Sequence, residues 1–304
     1  SKTIRWARSQ DATTLDPHSG NTGPNHVMLH NFYDPLVIRG FDGKLVGALA
    51  TEWRVLPNDP TIWEFKLRPN VKFHNGNAFT ADDVVFSMKR AMKPAADMKS
   101  LLGSVDDVIK VDDLTVHFKT KGPSPLLVNN LTNLFIMDKE WSEANNAADP
   151  QNLTQNVQNG ATLAAMGTGA YTLVSREPDV RTVMKRNENY WGKGSMPLEF
   201  DEIVYRPIKE NATRIAALLS GEVDFVQDLP PQDIQRLQST DGIKVNAGAE
   251  NRPIFLGMNI GVPELRGSDI KGKNPFADVR VRQAVNTAIN REAIQRVTMR
   301  GQSQ

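Results

Sequence analysis

Apolar residues recur at two different spacings along this chain, and the changes between them mark its elements. Ile4 to Ala7 read as an opening strand, followed over 13–26 by a polar loop containing glycine and proline, TTLDPHSGNTGPNH. A helical run then covers His26 to Phe32, with Val27, Met28 and Leu29 apolar. It ends at YDPLV (33–37), because Pro35 disfavours the helical conformation at Asp34. Trp63, Phe65 and Leu67 alternate with Glu64, Lys66 and Arg68, the period of a half-buried strand. Asn75-Gly76 supplies turn chemistry. A helix with unusually complete start signals follows. Thr80 stands at the N-cap, Asp83 three residues on can return a bond to it, and Phe79 and Val84 take the staple positions around the cap. Asp82 and Asp83 face the positive helix end, Lys89 and Arg90 the negative end, and Lys93-Pro94 stops the helix. Val108, Lys110 and Val111, then Leu114, Val116 and Phe118, predict a second hairpin turning at Asp112-Asp113.

Residues 143–166 are rich in Asn, Gln and Ala with weak periodicity, which predicts a surface helix or loop and a domain edge. From Gly167 a second architecture begins. YTLVS (171–175) and TVMKRN (182–187) read as paired strands, and EIVYRPI (202–208) as a third. Asn211 can cap the helix ATRIAALLS (212–220), with Gly221 just past its end. A short strand VDFV (223–226), a helix opened by Pro230-Pro231, a strand IKVNA (243–247) and a last helix from Val279 to Arg296 complete the reading. Strands alternating with helices at this spacing predict an α/β layer with crossover connections.

The chain has 304 residues, a length that suits roughly two domains. Lys and Arg number 36 against 35 Asp and Glu, which argues against a nucleic-acid binder. Cysteine is absent, so disulfides, thiolate metal sites and cysteine nucleophiles are excluded. No apolar run approaches the ~20 residues of a membrane-spanning helix. Ser1-Lys2-Thr3-Ile4-Arg5-Trp6 enters directly into strand-like sequence, so any export signal is expected to have been removed already.

Candidate chemistry is sparse. His26, His30 and Asp34 are four apart, a spacing that could present metal ligands on one helix side, but Pro35 removes Asp34 from that helix. The remaining histidines, His18, His74 and His117, read as structural and hydrogen-bonded. GTGAYT (167–172) has the glycines of a dinucleotide loop but precedes a strand, where no helix N-terminus is available for a pyrophosphate. Asp82 and Asp83 are adjacent carboxylates already explained by capping. Trp53, Trp63, Trp141 and Trp191 could stack on a ligand, although the alternation around Trp63 places it in a core. No catalytic residue, metal site or cofactor is assigned.

The stretches TLDPH (14–18), YDPLV, LATEW (49–53) and WEFKLRPNVKFHNGNAFTADDVVFSMKR (63–90) closely resemble the bacterial extracellular solute-binding proteins of family 5. So do GTGAYTLVSREP (167–178), RNENYWG (186–192), ATRIAALLSGEVDF (212–225) and FADVRVRQAVNTAINREAI (276–294), in the family's order. The family includes dipeptide-, oligopeptide- and nickel-binding receptors of ABC importers. The resemblance implies an α/β fold of the type II periplasmic-binding-protein kind, with several domains around a cleft and with the third domain truncated. Domain I would comprise residues 1–46 and 168–252, an inserted domain II residues 47–167, and the start of domain III residues 253–304. It implies a periplasmic or lipid-anchored receptor, not an enzyme, that closes on a solute and delivers it to a membrane permease. The solute expected is a short peptide; an opine, a sugar or a nickel chelate is the alternative, and a secreted hydrolase with a carboxylate pair the rival from another class. A monomer without nucleic acid is expected. Family loops that face the ligand map onto Asn21, Thr22 and Gly23, onto Gln227 and Asp228, and onto Phe255 and Leu256.

Overall fold

The structure, a computed structural model, describes residues 1–250 and 252–304. The chain divides into two compact units, Ser1–Gln227 and Asp228–Gln304.

The first unit holds three sheets. Its five-stranded sheet takes β1 (Thr3–Arg8) from the start of the chain. The other members come much later: β8 (Tyr171–Glu177), β9 (Arg181–Arg186), β10 (Glu202–Pro207) and β11 (Phe225–Val226), in the order β11-β1-β10-β9-β8. β1 runs parallel to both neighbours, with Trp6 opposite Tyr205 on one side and Phe225 on the other. β8, β9 and β10 are antiparallel, as the paired alternation predicts, so the sheet is mixed. The crossover from β10 to β11 is the helix α5 (Asn211–Leu219), which packs Ala217 with Ala7 of β1 and Val223.

Between β1 and β8 lie α1 (Gly23–Leu29), a small ribbon of β2 (Val37–Arg39) and β3 (Leu45–Gly47), and an antiparallel four-stranded sheet. That sheet is built from β4 (Ala50–Leu56), β5 (Asp59–Leu67), β6 (Val105–Asp112) and β7 (Thr115–Thr120), in the order β4-β5-β7-β6. α2 (Ala81–Ala91) shares its core: Val84 and Met88 meet Phe65, Val108, Val116 and Phe118. The expected start signals are all present. The Asp82 backbone N–H donates to Thr80 Oγ1 at 3.3 Å, and Thr80 N–H to Asp83 Oδ2 at 2.9 Å. Two short helices follow, α3 (Leu127–Asn130) and α4 (Lys139–Ala144).

Several expectations are corrected. The first helix begins at Gly23, not His26, because Pro24 suits a first helical turn. Asn211 is the first residue of α5 and not its cap; its Oδ1 accepts from Arg214 Nη2 at 2.7 Å. The segment 143–166 is not a mere surface edge. Beyond α4 it has no regular structure, yet it buries Ala147, Gln151, Ala161, Thr162 and Ala165.

The second unit carries α6 (Pro231–Gln238) and α7 (Val279–Ala288). IKVNA forms no strand, since no segment among the described residues of its unit pairs with it. The single long helix expected from Val279 to Arg296 is broken. Ile289 and Asn290 are extended, and Asn290 Oδ1 caps a new short turn by accepting from Ala293 N–H at 2.9 Å. Among the described residues no helix is long and apolar enough to cross a membrane.

Candidate functional site

Parallel strands deliver their carboxyl ends to one edge of a sheet, and in open α/β sheets that edge is where ligands are held. Here the edge is formed by β1, β10 and β11, ending at Arg8, Pro207 and Val226. Two of the expected ligand segments leave from it: the loop after β1, which reaches Asn21, Thr22 and Gly23, and Gln227, directly after β11.

Gln227 is fixed from two directions. Its N–H donates to Ala7 O at 3.0 Å, and its Oε1 accepts from Trp6 Nε1 at 3.0 Å. Trp6 in turn meets Tyr205 edge to face, ring centroids 4.7 Å apart and planes at 63°. Tyr205 Oη donates to Gln10 O and so ties the departing loop to the same corner. Trp6 and Tyr205 were not singled out by sequence reasoning. Each occupies an apolar position of an ordinary strand, and their role depends on a register between β1 and β10 that no local signal encodes.

Asn21, Thr22 and Gly23 are exposed at the loop's tip. Asn21 Oδ1 lies 2.9 Å from His26 Nε2, which pins the tip to α1. Thr22 is the N-cap residue of α1, but its side chain makes no capping bond. A Cβ added at Gly23 would meet nothing within 4 Å. Burial, reinforced by the neighbouring His30, lowers His26 to about 4, so it is neutral at pH 7. The tip therefore offers neutral polar groups and open space.

The other expected positions belong to the second unit. Asp228 opens it with a left-handed backbone (φ 62°). Phe255 and Leu256 lie in a segment without regular structure and are 78 % and 68 % exposed.

The remaining candidates have structural explanations. Asp34 does not join His26 and His30; its Oδ2 accepts from Trp191 Nε1 at 2.8 Å and from Thr168 Oγ1 at 2.7 Å. Among the described residues, no three His, Asp or Glu side chains converge as a metal site would require. His18 lies 2.8 Å from Phe135 O, His74 3.0 Å from Gly169 O and His117 2.9 Å from Glu64 Oε2, as expected of structural histidines. The glycines of GTGAYT serve packing: a Cβ at Gly167 would fall 2.1 Å from Phe32 O, and one at Gly169 2.5 Å from Asn31 O. Trp63 Nε1 donates to Ser124 O, and Arg68 sits over the Trp191 ring at 4.5 Å.

Comparison with known proteins agrees with this architecture. Residues 44–304 match the family described as bacterial extracellular solute-binding proteins, family 5 Middle. The chain belongs to that family. It is 31 % identical over 291 residues to the glutathione-binding protein GsiB of Pectobacterium atrosepticum, an alignment covering 95 % of this chain and 52 % of that protein. It superposes with TM-score 0.76 and 25 % identity on the periplasmic binding protein DppA of Helicobacter pylori in complex with the peptide STSA, over 98 % of this chain and 58 % of that one. It matches MoaA of A. tumefacien R10, in complex with mannopinic acid, with TM-score 0.76 and 26 % identity, over 98 % and 57 % of the two chains. The chain thus spans about half the length of the relatives it matches, and the fold is that of the periplasmic binding proteins.

Proposed function

We propose that this family 5 protein serves as the substrate-binding receptor of an ABC import system, capturing a small solute, a short peptide first among candidates, and releasing it unchanged to a membrane permease. The observation that carries this reading is the strand-end corner of β1 and β11 in a chain of this family. There Gln227 is held rigid by Trp6, and an exposed polar tip, Asn21 to Gly23, stands with open space at Gly23. Backbone donors and short polar side chains on rigid strand ends suit a ligand that is itself rich in amides. The relatives' names, a glutathione-binding protein and a complex with the peptide STSA, support peptide chemistry. The MoaA complex with mannopinic acid makes an opine the alternative ligand.

The wider organisation belongs to the same proposal. The five-stranded sheet gathers residues from both ends of the first unit, with the four-stranded sheet inserted between them. This supports a discontinuous domain I interrupted by domain II; a third domain would begin near residue 253. Asp228, Phe255 and Leu256 would add ligand contacts. The receptor would work in the periplasm as a monomer, without nucleic acid and without catalysis.

Calorimetry on the full reading frame with glutathione, di- to pentapeptides and mannopinic acid tests the reading. Binding of a peptide, recovered intact, is the expected result. Binding of the opine alone replaces the peptide assignment, and cleavage of the bound compound favours a hydrolase. Gly23→Leu sharpens the test, because Gly23 is exposed and a Cβ there meets nothing within 4 Å in the free protein. It should leave thermal stability unchanged while weakening the ligand by about tenfold, or 1.4 kcal/mol.

A further inference from the structure

Arg90 reads in the sequence as a cation at the end of α2, yet its side chain is fully buried, and so is that of Asp16 from the loop after β1. The two make a bidentate pair: Nη1 to Oδ1 and Nη2 to Oδ2, both 2.7 Å. The remaining guanidinium donors are also used. Nε donates to Ala147 O at 2.8 Å, Nη2 to Asp149 O at 3.1 Å, and Nη1 to His18 Nδ1 at 2.9 Å. A guanidinium cannot accept, so Nδ1 of His18 must, and its Nε2–H donates to Phe135 O. Asp16 is equally saturated. Oδ1 also accepts from His18 N–H, and Oδ2 from Gln151 N–H at 2.9 Å and Asn159 Nδ2 at 2.8 Å.

A buried ion pair is poor at adding stability, because desolvation consumes most of its attraction. It is good at fixing geometry when every donor and acceptor is matched. This one gathers α2, the 147–151 segment, Asn159 and Phe135 around residues 16–18. Those residues stand immediately before the exposed tip at 21–23. On the tip's other side, Asn25 is buried and its Oδ1 accepts from Thr13 N–H at 2.8 Å, closing the loop on itself.

We propose that Asp16 and Arg90 are positioning residues for ligand capture, clamping the loop from Thr13 to His26 so that Asn21, Thr22 and Gly23 are presented in one fixed conformation. The proposal rests on the reading that this tip faces the ligand. Burial alone would raise Asp16, but Arg90's hydrogen bonds and charge outweigh it and hold it at about 2; burial and then Arg90 lower His18 to about 4. The clamp is therefore intact throughout the neutral range.

The test is the double variant Asp16→Asn/Arg90→Gln in the full reading frame, which leaves no unpaired buried charge. Amide hydrogen exchange is read at Thr13 and His26, which bond neither residue, against Phe65 and Val116 in the four-stranded sheet of the same unit. Exchange at the first two should rise by about tenfold or more while the controls stay within about twofold. Affinity for the peptide that binds the wild type should fall by about tenfold, well below the melting midpoint. Wild-type exchange at Thr13 and His26, an equal rise at the controls, or unchanged affinity would each overturn the clamp. Should the double variant not fold, Asn159→Ala removes one bond from Asp16 and must shift the same amides in the same direction. If the wild type binds no peptide, it is the peptide reading that fails, and the exchange comparison still decides the clamp.

Discussion

Asp34 shows how much one buried carboxylate can impose. Burial raises it to about 6, even though Trp191 and Thr168 hydrogen-bond to it and Arg68 lies nearby. Its folded value is above the unfolded one, so the native state binds the proton more tightly. Its stability contribution is complete below about pH 4 and is lost as pH rises through 6. A rise of that size corresponds to about 3 kcal/mol. Denaturant titrations of wild type and Asp34→Asn from pH 4 to 7 should therefore diverge in their pH dependence by about that amount, with the wild type falling more steeply. A parallel pair of profiles would refute the assignment. Asp83 is also raised to about 6 by burial, with two backbone N–H donors opposing. It shares the sign of Asp34, so the difference between the two profiles is the informative quantity. Neither effect was visible in the sequence. YDPLV announced a helix end, but not that residues 168 and 191 would close over its aspartate.

The best-read segment was the one whose signals are local. Thr80, Asp83, Phe79 and Val84 lie within six residues, and the helix they announce forms where expected. Removing the cap with Thr80→Ala should cost about 1 kcal/mol by denaturant unfolding. A loss near zero would mean that the core contacts of Val84 and Met88 hold the helix start alone. Elements that depend on distant partners were read less well. IKVNA has strand composition but no neighbour to complete its ladder. The helix after Val279 breaks because Asn290 competes as a cap. Arg90 read only as a cation at the negative end of α2, because its partner Asp16 lies 74 residues away. The sequence placed the GTG glycines before a strand, but their task, close approach to the end of α1, needed the structure. Gly167→Ala should destabilise by about 2 kcal/mol through backbone displacement, measured by thermal or chemical unfolding.

The two units differ in how they are held together. The first is knit by two large apolar clusters and by buried ion pairs such as Asp11–Arg176. In the second, Leu237 is the one large apolar side chain fully withdrawn from solvent among the described residues, while Ile254, Phe255, Leu256 and Val297 are exposed. Limited proteolysis of the 304-residue chain should therefore cut first within 228–304 and leave a resistant core ending near residue 227. Early cuts within the four-stranded sheet would contradict this. The α/β layering of the first unit was legible because each strand and helix carries its own period. The arrangement of the candidate ligand corner was not, because it is set by which strands flank β1. That last feature also dictates an order of events. Both neighbours of β1 are encoded about 200 residues after it, and closing so long a loop carries a large entropic barrier. A ribosome must release residues up to Val226 before the first strand can find both of its partners. The corner that would greet a solute is thus among the later parts of the first unit to assemble, and the opening strand waits unpaired while the residues between are made.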